Sequence, residues 1–279
     1  MTQTNGQDAQ TQVWNGAAGE AWVSLQTHLD QLFAGFETRL AEAVAPQAAQ
    51  QVLDVGCGTG ATVLATARRL GADGHCLGVD LSRAMIERAR QRAASAELPA
   101  SFEIADAQAM PPRAQRFDRI QSRFGVMFFA DPVAGFARLR QLARPGGELH
   151  AMTWRERADN PFMTLANQVA APLVPELPVP QPGAPGQFAL ADPVLIRNVL
   201  AGAGWQQVSV ERLDQRCTMP AFALETYVTR MGALGRVWNG LDVARQQRLR
   251  QRLLEAFEPF VSGGQVQFTA ACWEIKAQA

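Results

Sequence analysis

Trp22, Leu25, Leu29, Leu32, Phe33, Phe36 and Leu40 recur at intervals of three and four, which predicts a helix with one apolar stripe that ends before Pro46. From Gln51 the pattern changes to short apolar runs alternating with helical stretches. It predicts strands over 51–55, 75–79, 101–105, 117–122 and 148–154, with helices over 61–70, 83–96 and 132–142 between them. Such alternation belongs to a parallel sheet covered by helices on both faces. Arg144, Pro145, Gly146 and Gly147 are expected to stop the last of these helices and turn the chain into its strand. The proline-crowded stretch from Pro172 to Pro193 reads as a loop or rigid cover. Asp192 then caps a helix running to about Ala203, Trp205 to Leu213 reads as a sixth strand, a largely helical stretch follows, and Gln265 to Lys276 alternates as a last strand.

The expected organisation is a polar disordered tail over 1–12, an N-terminal helical lid over 13–46, and one α/β domain over 47–279. Cap segments interrupt that domain at about 155–190 and 214–264. At 279 residues and 47% hydrophobic, the chain can bury the core such a domain needs.

Composition removes several kinds of chemistry. The 26 basic and 26 acidic residues cancel, so the wide positive field that nucleic-acid binding requires is missing and no nucleic-acid partner is expected. The only lysine is Lys276, near the end of the chain. A lysine-bearing phosphate loop and a Schiff-base mechanism both need an amine in a formed site, so both are excluded. Cys57, Cys76, Cys217 and Cys272 form no CxxC pair and have no histidine at ligand spacing, which points to reduced thiols and no metal site. With no leader at the start and no apolar run of spanning length, the expectation is a cytoplasmic protein without a membrane span.

The first strand runs directly into Asp54-Val55-Gly56-Cys57-Gly58-Thr59-Gly60, which opens the next helix. Glycines there let the backbone turn sharply and approach a ligand at the carboxyl edge of the sheet. With Asp80 at the end of the second strand, the segment also satisfies a relaxed dinucleotide fingerprint, so a nicotinamide-dependent oxidoreductase is one reading. Three features oppose it. Asp54 at the mouth of the loop would repel a pyrophosphate, Asp106 after the third strand suits an exocyclic amine, and the loop contains no basic residue. The ligand these residues ask for is a nucleoside with a cationic, phosphate-free tail, which describes S-adenosylmethionine.

Residues 51–154 resemble the class I S-adenosylmethionine-dependent methyltransferases, in the branch close to the ubiquinone and menaquinone methyltransferases. The resemblance rests on VLDVGCGTG at 52–60, GVDLS at 78–82 with Met85, ADAQAM at 105–110, FDRIQSRFGVMFFADP at 117–132 and RPGG at 144–147. WNGAAGEAWV at 14–23 and FALADP at 188–193 are similar to segments of bacterial members of that branch. The resemblance implies a doubly wound, mostly parallel seven-stranded sheet with the last strand antiparallel. Gly56, Cys57, Gly58 and Gly60 would pass along the methionine part of the cofactor, with Asp54 favouring its ammonium. Asp80 would accept the ribose hydroxyls, Leu81 and Met85 would pack near adenine, and Asp106, Ala107 and Gln108 would meet the adenine edge. Ser122 and Arg123 would line the floor by the sulfonium.

The implied reaction is methyl transfer to a small-molecule acceptor, with S-adenosylhomocysteine released, by a monomer or homodimer. A lyase or cyclase using the same cofactor on the same fold is the alternative. Substrate or lid candidates are Trp14, Trp22, Phe124, Met127 and Phe128. His28, Arg123 and Tyr227 are the candidates for a catalytic side chain. The quinone enzymes usually carry an arginine shortly after the glycine of the fourth-strand segment. Here Met127 and Phe128 stand in that stretch and Arg123 precedes Gly125, which points to a small apolar or natural-product acceptor at least as much as to a quinone.

Overall fold

The computed structural model describes residues 2–114, 116–179, 181 and 183–279, with only the backbone over 2–7. Three N-terminal helices, α1 (Thr2–Trp14), α2 (Ala17–Ser24) and α3 (Gln26–Glu42), precede the sheet. The repeating unit follows as β1 (Gln51–Val55), α4 (Ala61–Ala67), β2 (His75–Asp80), α5 (Arg83–Ala94), β3 (Ala100–Ile104), β4 (Phe117–Arg123), α6 (Pro132–Leu142) and β5 (Ala143–Trp154). Next come α7 (Pro161–Ala170), α8 (Pro193–Gly202), β6 (Gln206–Pro220), α9 (Leu224–Arg230), α10 (Gly232–Val237), α11 (Val243–Phe257), β7 (Val261–Ser262) and β8 (Gln265–Gln278).

The strand order is β3-β2-β1-β4-β5-β8-β6, with β7 paired to β8. β1 to β5 run parallel, whereas β8 is antiparallel to both β5 and β6. The order reverses between β1 and β4, and the crevice beyond their carboxyl ends is where open α/β sheets take ligands. This is the doubly wound, mostly parallel α/β sheet expected from the alternation, with seven strands in its main path as expected and the two-residue β7 added as an eighth.

Four helices, α5, α6, α8 and α11, start at a side-chain cap. Asp131 Oδ1 accepts from the Ala134 amide with Pro132 in the first turn of α6, and Asp192 Oδ1 accepts from the Val194 amide at α8. Leu29, Leu32, Phe33, Phe36 and Leu40 on α3 are all buried, worth ~1.5–3 kcal/mol each by area removed from water. Polar bonds also tie α3 to the domain. Arg39 donates twice to Glu274 of β8 at 2.7 Å, and His150 Nε2 of β5 lies 2.7 Å from the same carboxylate.

Several expectations are corrected. The apolar stripe from Trp22 to Leu40 is divided at Leu25 between α2 and α3, and the polar stretch expected as a disordered tail is helical over Thr2–Trp14. Arg144 to Gly147 do not form a separate turn. The chain passes from α6 straight into β5, absorbing these residues in a register shift against Phe117 and Arg119 while Gly146 takes φ 74°. The second cap segment is not helical throughout, because β6 runs past Leu213 to Pro220 in register with β8, and Gly263 and Gly264, both at positive φ, make a two-residue turn between β7 and β8. Pro180 and Pro182 of the proline-crowded segment lie outside the described residues.

Candidate active site

The loop after β1 is held from both sides. The amides of Gly56 and Cys57 donate to the Val79 carbonyl at the end of β2, at 2.9 and 3.1 Å. On the other side Gly56 lies against Gly125, where a Cβ on Gly56 would come 2.6 Å from the Gly125 Cα. Gly56, Gly58 and Gly60 have φ of 68°, 54° and 86°, so each takes the left-handed conformation that costs a side chain strain. A Cβ on Gly58 would meet nothing nearer than Met85 Sδ at 3.7 Å, so side-chain atoms leave the middle of the loop clear for a ligand.

Asp80 closes β2 and faces this loop. Its Oδ2 accepts from the Gly58 amide and its Oδ1 from the Ser82 amide, both at 2.9 Å. Burial raises its pKa while these amides pull it down. Each oxygen keeps a second lone pair, which suits a pair of hydroxyls. Asp106 follows β3, where its Oδ1 accepts from the amide and side chain of Gln108. Gln108 in turn accepts from the amides of Ala130 and Asp131, which fixes its orientation after β4. Met85 and Ala107 are buried and Leu81 is half-buried.

Asp54, wholly buried at the mouth of the loop, accepts from Gln121 Nε2 at 2.8 Å through Oδ2, whereas Oδ1 has no hydrogen-bond partner. Burial raises its pKa to about 6, against the lowering effect of the neighbouring Thr62 hydroxyl, of Gln121 and of Arg123. Cys57 is buried and its thiol is pushed well up by desolvation, so it stays neutral. Arg123, at the end of β4, lies over the Phe33 ring at 5.6 Å, and its Nη1 is sealed from solvent without a partner. Ser122 differs from expectation. It donates to the Val55 carbonyl at 2.7 Å and accepts from the amides of Gly125 and Val126, which uses its one donor and both acceptor positions. It joins the ends of β1 and β4 and has no valence left for a ligand.

The N-terminal segment bridges the two sides of the loop. Asn15 Nδ2 donates to the Leu81 carbonyl and Asn15 Oδ1 accepts from the Arg83 amide, both at 3.0 Å. Next to it Trp14 meets Phe128 edge-on, with ring centroids 5.0 Å apart. Gly19 is packed so that a Cβ would fall 2.8 Å from Ser82 Oγ. α3 adds a clamp in which Asp30 takes Arg92 Nη2 at 2.6 Å while Arg92 Nη1 donates to the Thr59 carbonyl of the loop at 2.7 Å.

The other substrate-side candidates divide. Phe124, at φ 67°, is stacked on Trp154 at 4.7 Å and buried with Phe33 and Phe36, and Met127 is buried too, so both are core residues beneath the site. Trp22 stacks on Phe33 at 6.4 Å. His28 packs against Phe222 at 5.4 Å. Tyr227 is buried beside Phe162 and Met163, and burial pushes its pKa far up, which unfits it as a base. Asn15 was legible in the WNGAAGEAWV segment, whereas Asp30 and Arg92 were missed by sequence reasoning, because they look like ordinary polar positions of amphipathic helices. Among the described residues no group of three or more His, Cys, Asp or Glu could hold a metal, and no helix is long and apolar enough to cross a membrane.

Residues 52–147 match the family model described as a methyltransferase domain. Aklanonic acid methyltransferase DauC of Streptomyces sp. (strain C5) is 32% identical over 120 residues, 43% of this chain and 54% of that protein. The chain thus spans about half the length of that relative, and about a third of several others. Among solved structures, the YcgJ protein of Bacillus subtilis superposes with a TM-score of 0.57 at 16% identity, covering 88% of this chain and 98% of that one. Phosphoethanolamine N-methyltransferase 2 of Haemonchus contortus, solved with phosphomonomethylethanolamine and S-adenosylhomocysteine, gives 0.53 at 16%, covering 88% and 52%.

Proposed function

We propose, on the premise that residues 52–147 are a class I S-adenosylmethionine-dependent methyltransferase domain, that the whole protein transfers the methyl group of S-adenosylmethionine to a small-molecule acceptor. The observation that carries this reading is the loop from Asp54 to Gly60. It has no cationic side chain, a wholly buried acid at its mouth, and Asp80 bonded to its central amide. A pyrophosphate would meet two carboxylates there, while a nucleoside with a cationic tail meets complementary charge.

When bound, S-adenosylmethionine supplies a methyl group already activated on a sulfonium. The chain has to bind, orient and keep water out. Asp80 would take the ribose hydroxyls, Asp106 with the Ala107 backbone and Gln108 the adenine edge, Met85 and Leu81 the adenine face, and Asp54 the ammonium. Gly56, Cys57, Gly58 and Gly60 give backbone rather than side chains to the tail. Trp14 and Asn15 would close the site as part of an N-terminal cover, with Trp14 and Phe128 forming an aromatic wall on the acceptor side. The cap segments at 155–190 and 214–264 would shape the acceptor pocket, for which a small apolar molecule is the best match, and the active species would be a monomer or homodimer with no nucleic-acid partner. Positioning alone can drive the transfer, so the absence of a side-chain base among these residues is compatible with the chemistry.

The test is incubation with S-adenosylmethionine and panels of thiols, phenols and quinones, with the products weighed by mass spectrometry. Methyl transfer yields S-adenosylhomocysteine and an acceptor heavier by one methylene. Methylthioadenosine as the adenosyl product would instead establish a lyase or cyclase on this fold.

A further inference from the structure

An arginine on a helix surface is ordinarily a solvated charge, so two of them turned onto one neighbouring helix mark an interaction that the fold has built. Arg88 and Arg92 stand one turn apart on α5, and Gln26 and Asp30 stand one turn apart on α3. Arg88 donates through Nε and Nη2 to Gln26 Oε1 at 3.2 and 2.9 Å, and Gln26 Nε2 donates to Asp30 Oδ2 at 2.5 Å. The same oxygen accepts from Arg92 Nη2 at 2.6 Å, while Arg92 Nη1 donates to the Thr59 carbonyl at 2.7 Å. The Arg92 and Asp30 side chains are only 20% and 21% exposed, and Gln26 and Thr59 are buried, so these bonds are shielded from the water and salt that weaken exposed pairs. One polar chain therefore runs from the N-terminal extension through α5 into the loop after β1.

Its far end is a single peptide unit. Thr59 lies between Gly58 and Gly60, at φ 54° and 86°, and glycines leave a backbone free to turn, so the peptide plane from Thr59 to Gly60 has to be held by its hydrogen bonds. Both of its edges are held. The Gly60 amide donates to the Cys57 carbonyl at 3.0 Å, and the Thr59 carbonyl accepts from Arg92. The first bond belongs to the loop itself, whereas the second depends on a guanidinium whose planar fork Asp30 orients. α3 does not need this clamp to stay on the sheet. Its apolar stripe is buried, and further along the helix Arg39 is bonded twice to Glu274 of β8. The helix thus has two polar anchors, one on the sheet and one on the loop.

We propose that Arg92 is a positioning residue that couples the N-terminal extension to the cofactor loop. Its fork lets Asp30 of α3 set the Thr59 peptide, so that a seated α3 and a bound cofactor favour each other. The inference rests on the cofactor reading above, and Arg92 acts through the loop backbone rather than on the reacting atoms. Linkage makes the coupling reciprocal, since the factor by which the clamp tightens cofactor binding is the factor by which the cofactor tightens the seating of α3.

The experiment is calorimetric titration of the full chain with S-adenosylhomocysteine, beside melting curves and hydrogen exchange over residues 26–42. Arg92→Gln and Asp30→Asn should each lose about 3- to 10-fold in affinity, and the double variant should lose no more than Arg92→Gln alone, because the two side chains act as one unit. Arg92→Lys keeps the pair with Asp30 and lacks the fork, so it should recover the melting temperature and not the affinity. Arg39→Gln is the control, expected to lower the melting temperature while affinity stays within about twofold. Saturation with S-adenosylhomocysteine should slow exchange over 26–42 in the unmodified protein, and should slow it less in saturated Arg92→Gln. Unchanged affinity in a folded Arg92→Gln overturns the proposal, as do additive losses in the double variant. A loss in Arg39→Gln equal to that in Arg92→Gln also overturns it, because affinity would then follow the general seating of α3. If the unmodified protein does not bind S-adenosylhomocysteine at all, the cofactor reading itself has failed and the coupling falls with it.

Discussion

The carboxylate of Asp80 accepts a hydrogen bond from the amide of Gly58 at 2.9 Å, so the acid at the end of β2 holds the middle of the loop after β1. In the proposed reading one side chain has two duties, supporting the loop and receiving the ribose. Asp80→Ala is expected to weaken S-adenosylmethionine binding by ~1–3 kcal/mol through lost charge-assisted hydrogen bonds, with a smaller loss of thermal stability. Calorimetry beside a melting curve checks both, and unchanged affinity in a folded variant would defeat the assignment.

Gly125 is the other support of the loop. A Cβ there would lie 2.4 Å from the Val55 carbonyl oxygen and 2.8 Å from the Gly56 Cα, both backbone atoms that cannot swing aside. Gly125→Ala should cost roughly 1–3 kcal/mol in urea denaturation and should also reduce cofactor affinity. Gly146→Ala is the control, because nothing lies within 4 Å of its added Cβ and only the positive φ of 74° is strained. It should cost about 1 kcal/mol and leave cofactor affinity unchanged.

Asp54 makes stability and binding respond oppositely to pH. Its pKa is raised by burial to about 6 in the folded chain, so the folded state holds that proton more tightly than the unfolded one. The contribution to stability is full below about pH 4 and is lost as the pH rises through about 6. Relative to Asp54→Asn, which has no such titration, the native protein should lose ~2–3 kcal/mol between pH 4 and pH 7. Affinity for S-adenosylmethionine should rise over the same interval as the carboxylate ionises to meet the ammonium. A stability difference between the two proteins that is flat with pH would contradict the buried titration.

The N-terminal cover makes a kinetic prediction. Asn15 bonds to the backbone of Leu81 and Arg83 but is itself exposed, so Asn15→Ala should change stability by less than about 1 kcal/mol and speed release of S-adenosylhomocysteine in stopped-flow measurements. Trp14→Ala should lower turnover more than melting temperature, whereas Trp22→Ala, which removes a ring stacked on Phe33, should act mainly on stability. Equal effects of the two tryptophans on turnover would argue against a cover formed by Trp14.

What the sequence revealed follows from which signals are local. β1 over Gln51–Val55 and α6 over Pro132–Leu142 have the bounds read from the chain, because an apolar run ending in glycines and an Asp-Pro start are short-range signals. The glycine loop, Asp80 and Asp106 were legible for the same reason. The bonding of Ser122 was not legible, because its acceptor, the Val55 carbonyl, is brought to it only by strand pairing, although the Gly125 and Val126 amides are local. The Asp30 to Arg92 clamp joins a helix residue to a partner more than sixty positions away, and no spacing in the chain encodes it. Arg144 to Gly147 carry strong turn residues, yet the pairing of Ala143 and Glu148 with β4 on either side of them keeps them within the strand.

The most direct test of the central claim is a parallel calorimetric titration with S-adenosylmethionine, S-adenosylhomocysteine and NADH. Binding of both adenosyl-sulfur ligands, with no heat from NADH, is the predicted result and places a cationic nucleoside at the Asp54 to Gly60 loop. Binding of NADH alone would contradict it, since a pyrophosphate would then be sitting against Asp54, and the chain would have to be read as an oxidoreductase.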